Sequence, residues 1–529
     1  MSIQPSDGLK NFQKPLDASS LEPENPKIVK SPTDDDKVPQ HHKMGLLGAI
    51  SFVCGNMIGA GLFITPSSVV KYTNSVGLAL TVWVLSAVIS VLGAYCYVEL
   101  GTSIRKSGAD FAYLCYVGWF PAAFSFMSTG CLMMYPSIVA VQAQAFSEYL
   151  FQGIRIHIED KTLEHVAKVL VSFTLVWALC ILNFFSLKRF ASRFQVVATS
   201  AKILATLLIV VIGFYFLIFK GKTENLQSPF EGSNWQAAPL AMGFFQALFS
   251  YDGWDILNFG IEEVDKPRRT LPLAILLGVA IVALTFFVTN FAYLVVLSID
   301  EILISPAIAQ TFAQKTMGNM QYVMPFLTSM MLIGSLNATI FTASRYLFAA
   351  ARHGHMPSFL SIVNEKTGSP RAAIFYHSVL AFTFTMVGDT ETLVNSLGFA
   401  QYLQRLLTMS ALLYIRFSGM KVHPERIQIP IILPILFMLI CLALVVTTIW
   451  LDIKTAAVGL AFLLTAFAFY FIFLWDQSLM RFPGYQKFCN EVNDKATSIN
   501  ESIFNAKAQK DKHHEEFDGH SNYSDNGIH

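Results

Sequence analysis

Apolar stretches of about 20 residues, nearly free of charge, recur along this chain. Each is long enough to cross the ~30 Å hydrocarbon core of a bilayer as a helix. Twelve are predicted, at about 45–70, 77–104, 117–150, 163–186, 192–219, 239–264, 271–299, 320–352, 371–388, 391–417, 427–450 and 455–476. A porin-like barrel is excluded, because its strands need only ~10 residues. Only 14% of the residues are charged and 53% are hydrophobic, against roughly a quarter charged in a soluble domain. The predicted fold class is therefore all-α integral membrane, with twelve transmembrane helices.

Two of these helices break, at matching places. The first carries Gly59-Ala60-Gly61 and the sixth carries Ser250-Tyr251-Asp252-Gly253. A break frees backbone N–H and C=O groups where there is no water, which is tolerated only if they line a cavity. Interrupted helices at corresponding positions of two halves mark the solute site of a carrier-type fold. The two spans begin about 195 residues apart, so spans 1–5 and 6–10 read as two copies of one five-helix unit. An odd number of spans per copy makes the copies inverted.

The first break offers N–H groups from Leu62 onward, suited to an anionic group such as a carboxylate. The bland alternative is a small-residue packing face. Carbonyls freed at the sixth-span break suit an ammonium group, with Phe249, Tyr251 and Trp254 shaping or shielding a pocket. An aspartate at this depth costs on the order of 3 kcal/mol to insert, so each needs a reason. Asp252 is either a counter-charge facing a solute or a cap on the second half-helix. Asp255 reads as a cap or half of a structural pair. Lys202, deep in span five, stands as a fixed positive charge where a coupling cation would sit; the alternative is an ammonium snorkelling to the surface. Glu262-Glu263 read as helix-end charges. Glu99, Arg345 and Arg405 have no assigned role.

Net charge is +1, which implies no nucleic-acid partner. The histidines lack metal-ligand spacing and no phosphate-binding loop occurs, so no metal, no cofactor and no ATP-driven step is expected. No polar catalytic cluster marks an enzyme. Lysine and arginine number fourteen in the loops placed inside and eight in those placed outside, which puts both termini in the cytoplasm. Residues 1–43 are predicted to be a disordered cytoplasmic tail, 44–476 the membrane domain, and 477–529 a second cytoplasmic tail. In that tail Phe488, Val492, Ile499 and Ile503 recur at helical spacing, so a helix there lies along the membrane or packs on the inner face. No cleavable leader is read, and the first span serves as an uncleaved signal.

Three motifs carry a resemblance. They are Ile58-Gly59-Ala60-Gly61-Leu62-Phe63; Ala247-Leu248-Phe249-Ser250-Tyr251-Asp252-Gly253-Trp254; and Phe341-Thr342-Ala343-Ser344-Arg345 continuing to Arg352-His353-Gly354-His355-Met356-Pro357. In this order and spacing the chain resembles the light-chain, L-type branch of the amino acid–polyamine–organocation superfamily. The resemblance implies a LeuT-like five-plus-five inverted repeat with helices 1 and 6 broken, plus two extra helices. It implies a sodium-independent carrier for L-amino acids, neutral and large, working by exchange at the plasma membrane.

Its implied substrate-binding residues are Ile58, Gly59, Ala60, Gly61, Phe249, Ser250, Tyr251, Asp252 and Gly253, with Lys202 replacing a sodium ion. The chain departs from the family in places. The loop from Gln152 to Glu164 lacks the cysteine that joins relatives to a heavy chain. No disulfide-linked subunit is therefore expected, while a non-covalent one stays open. Tyr135-Pro136 stands where Arg-Pro is common, and Asp252 stands where cystine- and dibasic-type members carry an acid, which admits cationic side chains. The competing reading is an amino-acid-binding membrane sensor without net transport.

Overall fold

The computed structural model describes residues 44–105, 108–156, 158–185, 188–259, 261, 264–352, 354–365, 367–387, 390–475 and 477–508. The tail expected over 1–43, residues 509–529 of the tail expected over 477–529, and the pair Glu262-Glu263 lie outside the described residues.

The first half contains α1 (Leu46–Met57), α2 (Gly61–Ile64), α3 (Pro66–Thr73), α4 (Val76–Ile104), α5 (Ala109–Tyr116), α6 (Phe120–Thr129), α7 (Tyr135–Ile154), α8 (Lys161–Phe184) and α9 (Lys188–Ile218). The second contains α10 (Ala237–Ser250), α11 (Ile256–Phe259), α12 (Pro267–Val296), α13 (Ile299–Leu303), α14 (Ile308–Thr316), α15 (Val323–Arg352), α16 (Arg371–Val387) and α17 (Thr390–Ser418). Helices α18 (Ile432–Leu451), α19 (Ile453–Phe469) and α20 (Pro483–Phe504) complete the chain.

Among the described residues nine helical stretches are long and apolar enough to cross a membrane. A tenth candidate is Arg371–Met386 with Thr390–Ser418, bent by 120°. The predicted segments that do not qualify alone are the sixth, ninth and tenth. The sixth stays helical for only 14 residues, because the chain unwinds after Ser250. Helix α16 has 17 residues. Helix α17 has 29, but Gln401, Gln404 and Arg405 face an interior cavity and dilute its apolar character.

The first and sixth spans lie side by side and run in opposite directions. The Asp265 N–H donates to the Met44 carbonyl at 3.0 Å, and at the other end the Asn234 N–H donates to the Thr73 carbonyl at 2.9 Å. Midway, Asn56 Nδ2 donates to the Gly253 carbonyl at 3.2 Å. Helix α12 packs on α1 and α4, and α15 packs on α7 and α9. The stretch Phe120–Ile154 has 78% of its apolar window buried, whereas Lys161–Phe184 has 22%. The former is central and the latter presents its apolar surface outward, as a lipid-facing helix should.

Helix α20 packs on the connection between α15 and α16 through its polar side. Asn493 accepts from the Ser358 N–H at 3.0 Å, and Asn500 accepts from the Tyr376 hydroxyl at 3.2 Å. A two-residue strand β1 (Ile362–Val363) pairs antiparallel with β2 (Lys507–Ala508) to close this seam. Phe488, Val492, Ile499 and Ile503 are exposed on α20.

Candidate functional site

Helix α1 stops at Met57, and Ile58 leaves the helical region with ψ 79°. The chain turns through Gly59 and Ala60 before α2 begins. Among the described residues no backbone carbonyl accepts from the N–H groups of Ala60, Gly61 or Leu62. Three donors are thus left at the start of the outer half-helix, where the dipole also favours negative charge. Pro66 opens α3 without losing a bond, because its position needs no N–H.

The second break supplies the opposite polarity. Helix α10 ends at Ser250, and Tyr251–Asp255 form turns, with Gly253 at φ +100°. Only a residue without Cβ adopts that conformation cheaply. Among the described residues the carbonyls of Ser250, Tyr251 and Asp252 accept no backbone N–H.

The breaks are held face to face. A Cβ on Gly61 would lie 2.7 Å from Ser250 Cα, so the backbones meet where only glycine fits. The Thr65 and Ser250 hydroxyls are 2.7 Å apart.

Between them lies a cavity of about 260 Å³, lined in part by Gly59, Ala60, Gly61, Phe249, Ser250, Asp252 and Gly253. That is smaller than the ~300–1,000 Å³ of drug-sized ligand sites. Ile58 does not line it, and neither does Tyr251. The Tyr251 ring packs instead between Trp83, at 5.9 Å edge-on, and Phe286, at 5.0 Å. Tyr251 thus serves the packing that holds the break in place.

Lys202 borders the cavity and is buried; its Nζ donates to the Gly55 carbonyl at 3.4 Å. The ammonium therefore sits at the carbonyl end of α1, where the helix dipole favours a cation. Its reach is into the protein and not to the surface, against the snorkelling alternative.

Asp252 has a partner that the sequence left unassigned. Arg405 Nη2 on α17 donates to its carboxylate at 2.7 Å. Among the described residues that carboxylate takes Arg405 and no backbone N–H, so Asp252 does not cap α11. The Arg405 guanidinium also lies over the rings of Trp254, at 4.7 Å, and Tyr402, at 5.0 Å. Among the described residues its buried Nη1 has no hydrogen-bond partner. Asp255 and Asp110 line the same cavity. The Tyr97 hydroxyl donates to Asp110, as does Thr408 Oγ1 at 2.6 Å.

Sequence reasoning missed Asn56, Asp110, Gln142, Gln401 and Gln404 as lining residues. Polar residues within apolar helices were the available signal, and Arg405 had shown it most clearly. A π-helical turn at Gly130–Met134 also borders the cavity and gave no sequence signal. Such turns often sit at functional sites. Glu99 belongs elsewhere: it holds Arg416 in a two-pronged pair and accepts the Ile429 N–H at 3.0 Å. Arg345 lies over the Phe341 ring.

Comparison with known proteins identifies the family. The amino acid permease family profile matches residues 44–475. The chain is 49% identical to amino acid transporter protein 6 of Caenorhabditis elegans over 90% of its own length and 91% of the relative's. It is 33% identical to the human cystine/glutamate transporter, covering 85% of this chain and 88% of that one. It is also 33% identical to the human large neutral amino acids transporter small subunit 2, covering 82% and 81%. These relatives are carriers and not enzymes. The chain belongs to the amino acid permease family, in the L-type amino acid transporter branch of the amino acid–polyamine–organocation superfamily.

Proposed function

We propose that this protein carries L-amino acids across a membrane by sodium-independent exchange, alternating access around the cavity between the two breaks. The observation that carries the reading is their complementary polarity. Among the described residues, Ala60 and Gly61, whose N–H groups find no backbone acceptor, line the cavity on one side, and Ser250 and Asp252, whose carbonyls accept no backbone N–H, line it on the other. A zwitterion needs both, a donor set for its carboxylate and an acceptor set for its ammonium. Lys202 at the end of α1 supplies the positive charge that a sodium ion would otherwise bring.

The architecture we assign is a LeuT-like fold of twelve spans, counting α10, α16 and α17 as the sixth, ninth and tenth. The opposite directions of the first and sixth spans support the inverted relation of its two halves. Both termini are placed in the cytoplasm and the protein in the plasma membrane. The named relatives include cystine/glutamate, Asc-type and large neutral amino acid transporters. We assign neutral, large substrates here, with cationic ones admitted by the acidic lining. Cys54, Cys96, Cys115, Cys131, Cys180, Cys441 and Cys489 are free thiols in this chain. With none in the loop between α7 and α8, we expect no disulfide-linked subunit; non-reducing electrophoresis from native membranes should give a band at the monomer mass.

The test is uptake of labelled amino acids into liposomes holding the purified chain. Replacing sodium by choline should leave the initial rate unchanged, and internal amino acid should accelerate it. Strict sodium dependence would overturn the coupling assignment. Saturable binding with no uptake in any gradient would make the protein a sensor.

A further inference from the structure

A second cavity lies away from the breaks, of about 680 Å³, where the end of α4, the start of α12 and the loop before α18 meet. Among the described residues four cations line it, Arg105, Lys266, Arg268 and Arg269, against one carboxylate, that of Glu425. Arg105 pairs with Glu425 at 2.8 Å and so uses that charge. The pairing holds the Glu425 carboxyl below the usual carboxylate range, with Arg268 adding to the effect. Among the described residues Lys266, Arg268 and Arg269 make no ion pair, and all three are exposed.

Their position is electrostatically costly. Arg268 and Arg269 occupy the first turn of α12, the positive end of a 30-residue helix dipole. The Arg268 N–H has no backbone acceptor among the described residues. An anion placed there relieves the repulsion among the cations and answers the dipole together.

The same helix names the source of that anion. From the cavity rim Leu273, Leu276, Leu277, Ile281 and Leu284 run along one exposed side of α12, at 37%, 37%, 44%, 49% and 65% exposure. A soluble anion has no use for this stripe, whereas acyl chains do. The cavity is also far larger than one phosphate requires.

We propose that this cavity binds the headgroup of an anionic phospholipid carrying a phosphomonoester, with its acyl chains laid along the α12 stripe. With the termini in the cytoplasm, as proposed above, it opens on the leaflet where anionic lipids concentrate. Each basic side chain near such a surface adds to the attraction.

The full chain in detergent, read by thermal unfolding, tests the binding apart from transport and membrane orientation. Dioctanoyl phosphatidylinositol 4-phosphate should stabilise the parent, while dioctanoyl phosphatidylcholine should not. R268Q/R269Q should need at least about tenfold more of the anionic lipid for the same shift. R268K/R269K, which keeps both charges, should retain most of the response. Equal stabilisation by phosphatidylcholine, an unchanged response in R268Q/R269Q, or no response in the parent would overturn the proposal. Free inositol phosphate matching the lipid would make this a soluble-anion site and overturn the lipid assignment.

Discussion

Helix α17 carries two arginines, Arg405 and Arg416, each paired with an acid from a distant span, and the pairs are built differently. Arg416 takes Glu99 through two nitrogens, donates to the Ile429 carbonyl at 2.7 Å, and sees the Ile429 N–H return to the same carboxylate at 3.0 Å. Its side chains are 7% and 1% exposed. Arg405 takes Asp252 through one contact, leaves Nη1 unpartnered, and leaves the Asp252 side chain 29% exposed beside the cavity. The first pair engages both Glu99 oxygens and the Ile429 backbone, and so staples the loop before α18 to α4. The second retains capacity at a cavity wall. A closed pair is a structural element, and an open one is available to a ligand.

This contrast can be broken most severely at Glu99. Glu99→Gln leaves Arg416 buried and uncompensated, which should cost about 3–5 kcal/mol. Fluorescence-detected size exclusion and thermal unfolding should show the loss, while any folded fraction keeps the parent's substrate preferences. Altered preference without instability would reverse the roles of the two pairs.

Gly61→Val drives a branched side chain into Ser250. Overpacking of this kind costs about 1–3 kcal/mol, so some instability accompanies the loss of function. Uptake and substrate-induced stabilisation should both vanish. Parent-like binding by this variant would place the carboxylate site elsewhere.

Asp252→Asn removes the partner of Arg405, whose side chain is only 3% exposed, so a change in selectivity should come with a loss of stability. With Arg405 released, competition by arginine and lysine should weaken by about tenfold and competition by glutamate should strengthen, since a tenfold change needs only ~1.4 kcal/mol. A uniform decline across all substrates would make this pair structural too.

The smallest effect is expected from Thr65→Val, which removes the hydroxyl contact with Ser250. A loss of about 1 kcal/mol in thermal stability should follow, with substrate preference unchanged.

The sequence by itself determined the membrane class and the positions of both breaks. Those are local properties: apolar length for a span, and glycine with small or acidic neighbours where a helix stops. The 14-residue α10 and the polar α17 show its limit, because apolar length stops reporting a helix that faces a polar cavity. Tertiary structure alone decided what each side chain meets. Asp252 and Arg405 stand 153 positions apart, Lys202 and Gly55 147, and Glu99 and Arg416 317. Tyr251 and Asp252 are adjacent in sequence, yet one enters an aromatic cluster and the other a cavity wall. The reason is geometric: consecutive residues at a helix end point in widely different directions, and the neighbour each one finds depends on how distant helices are rotated and packed around it.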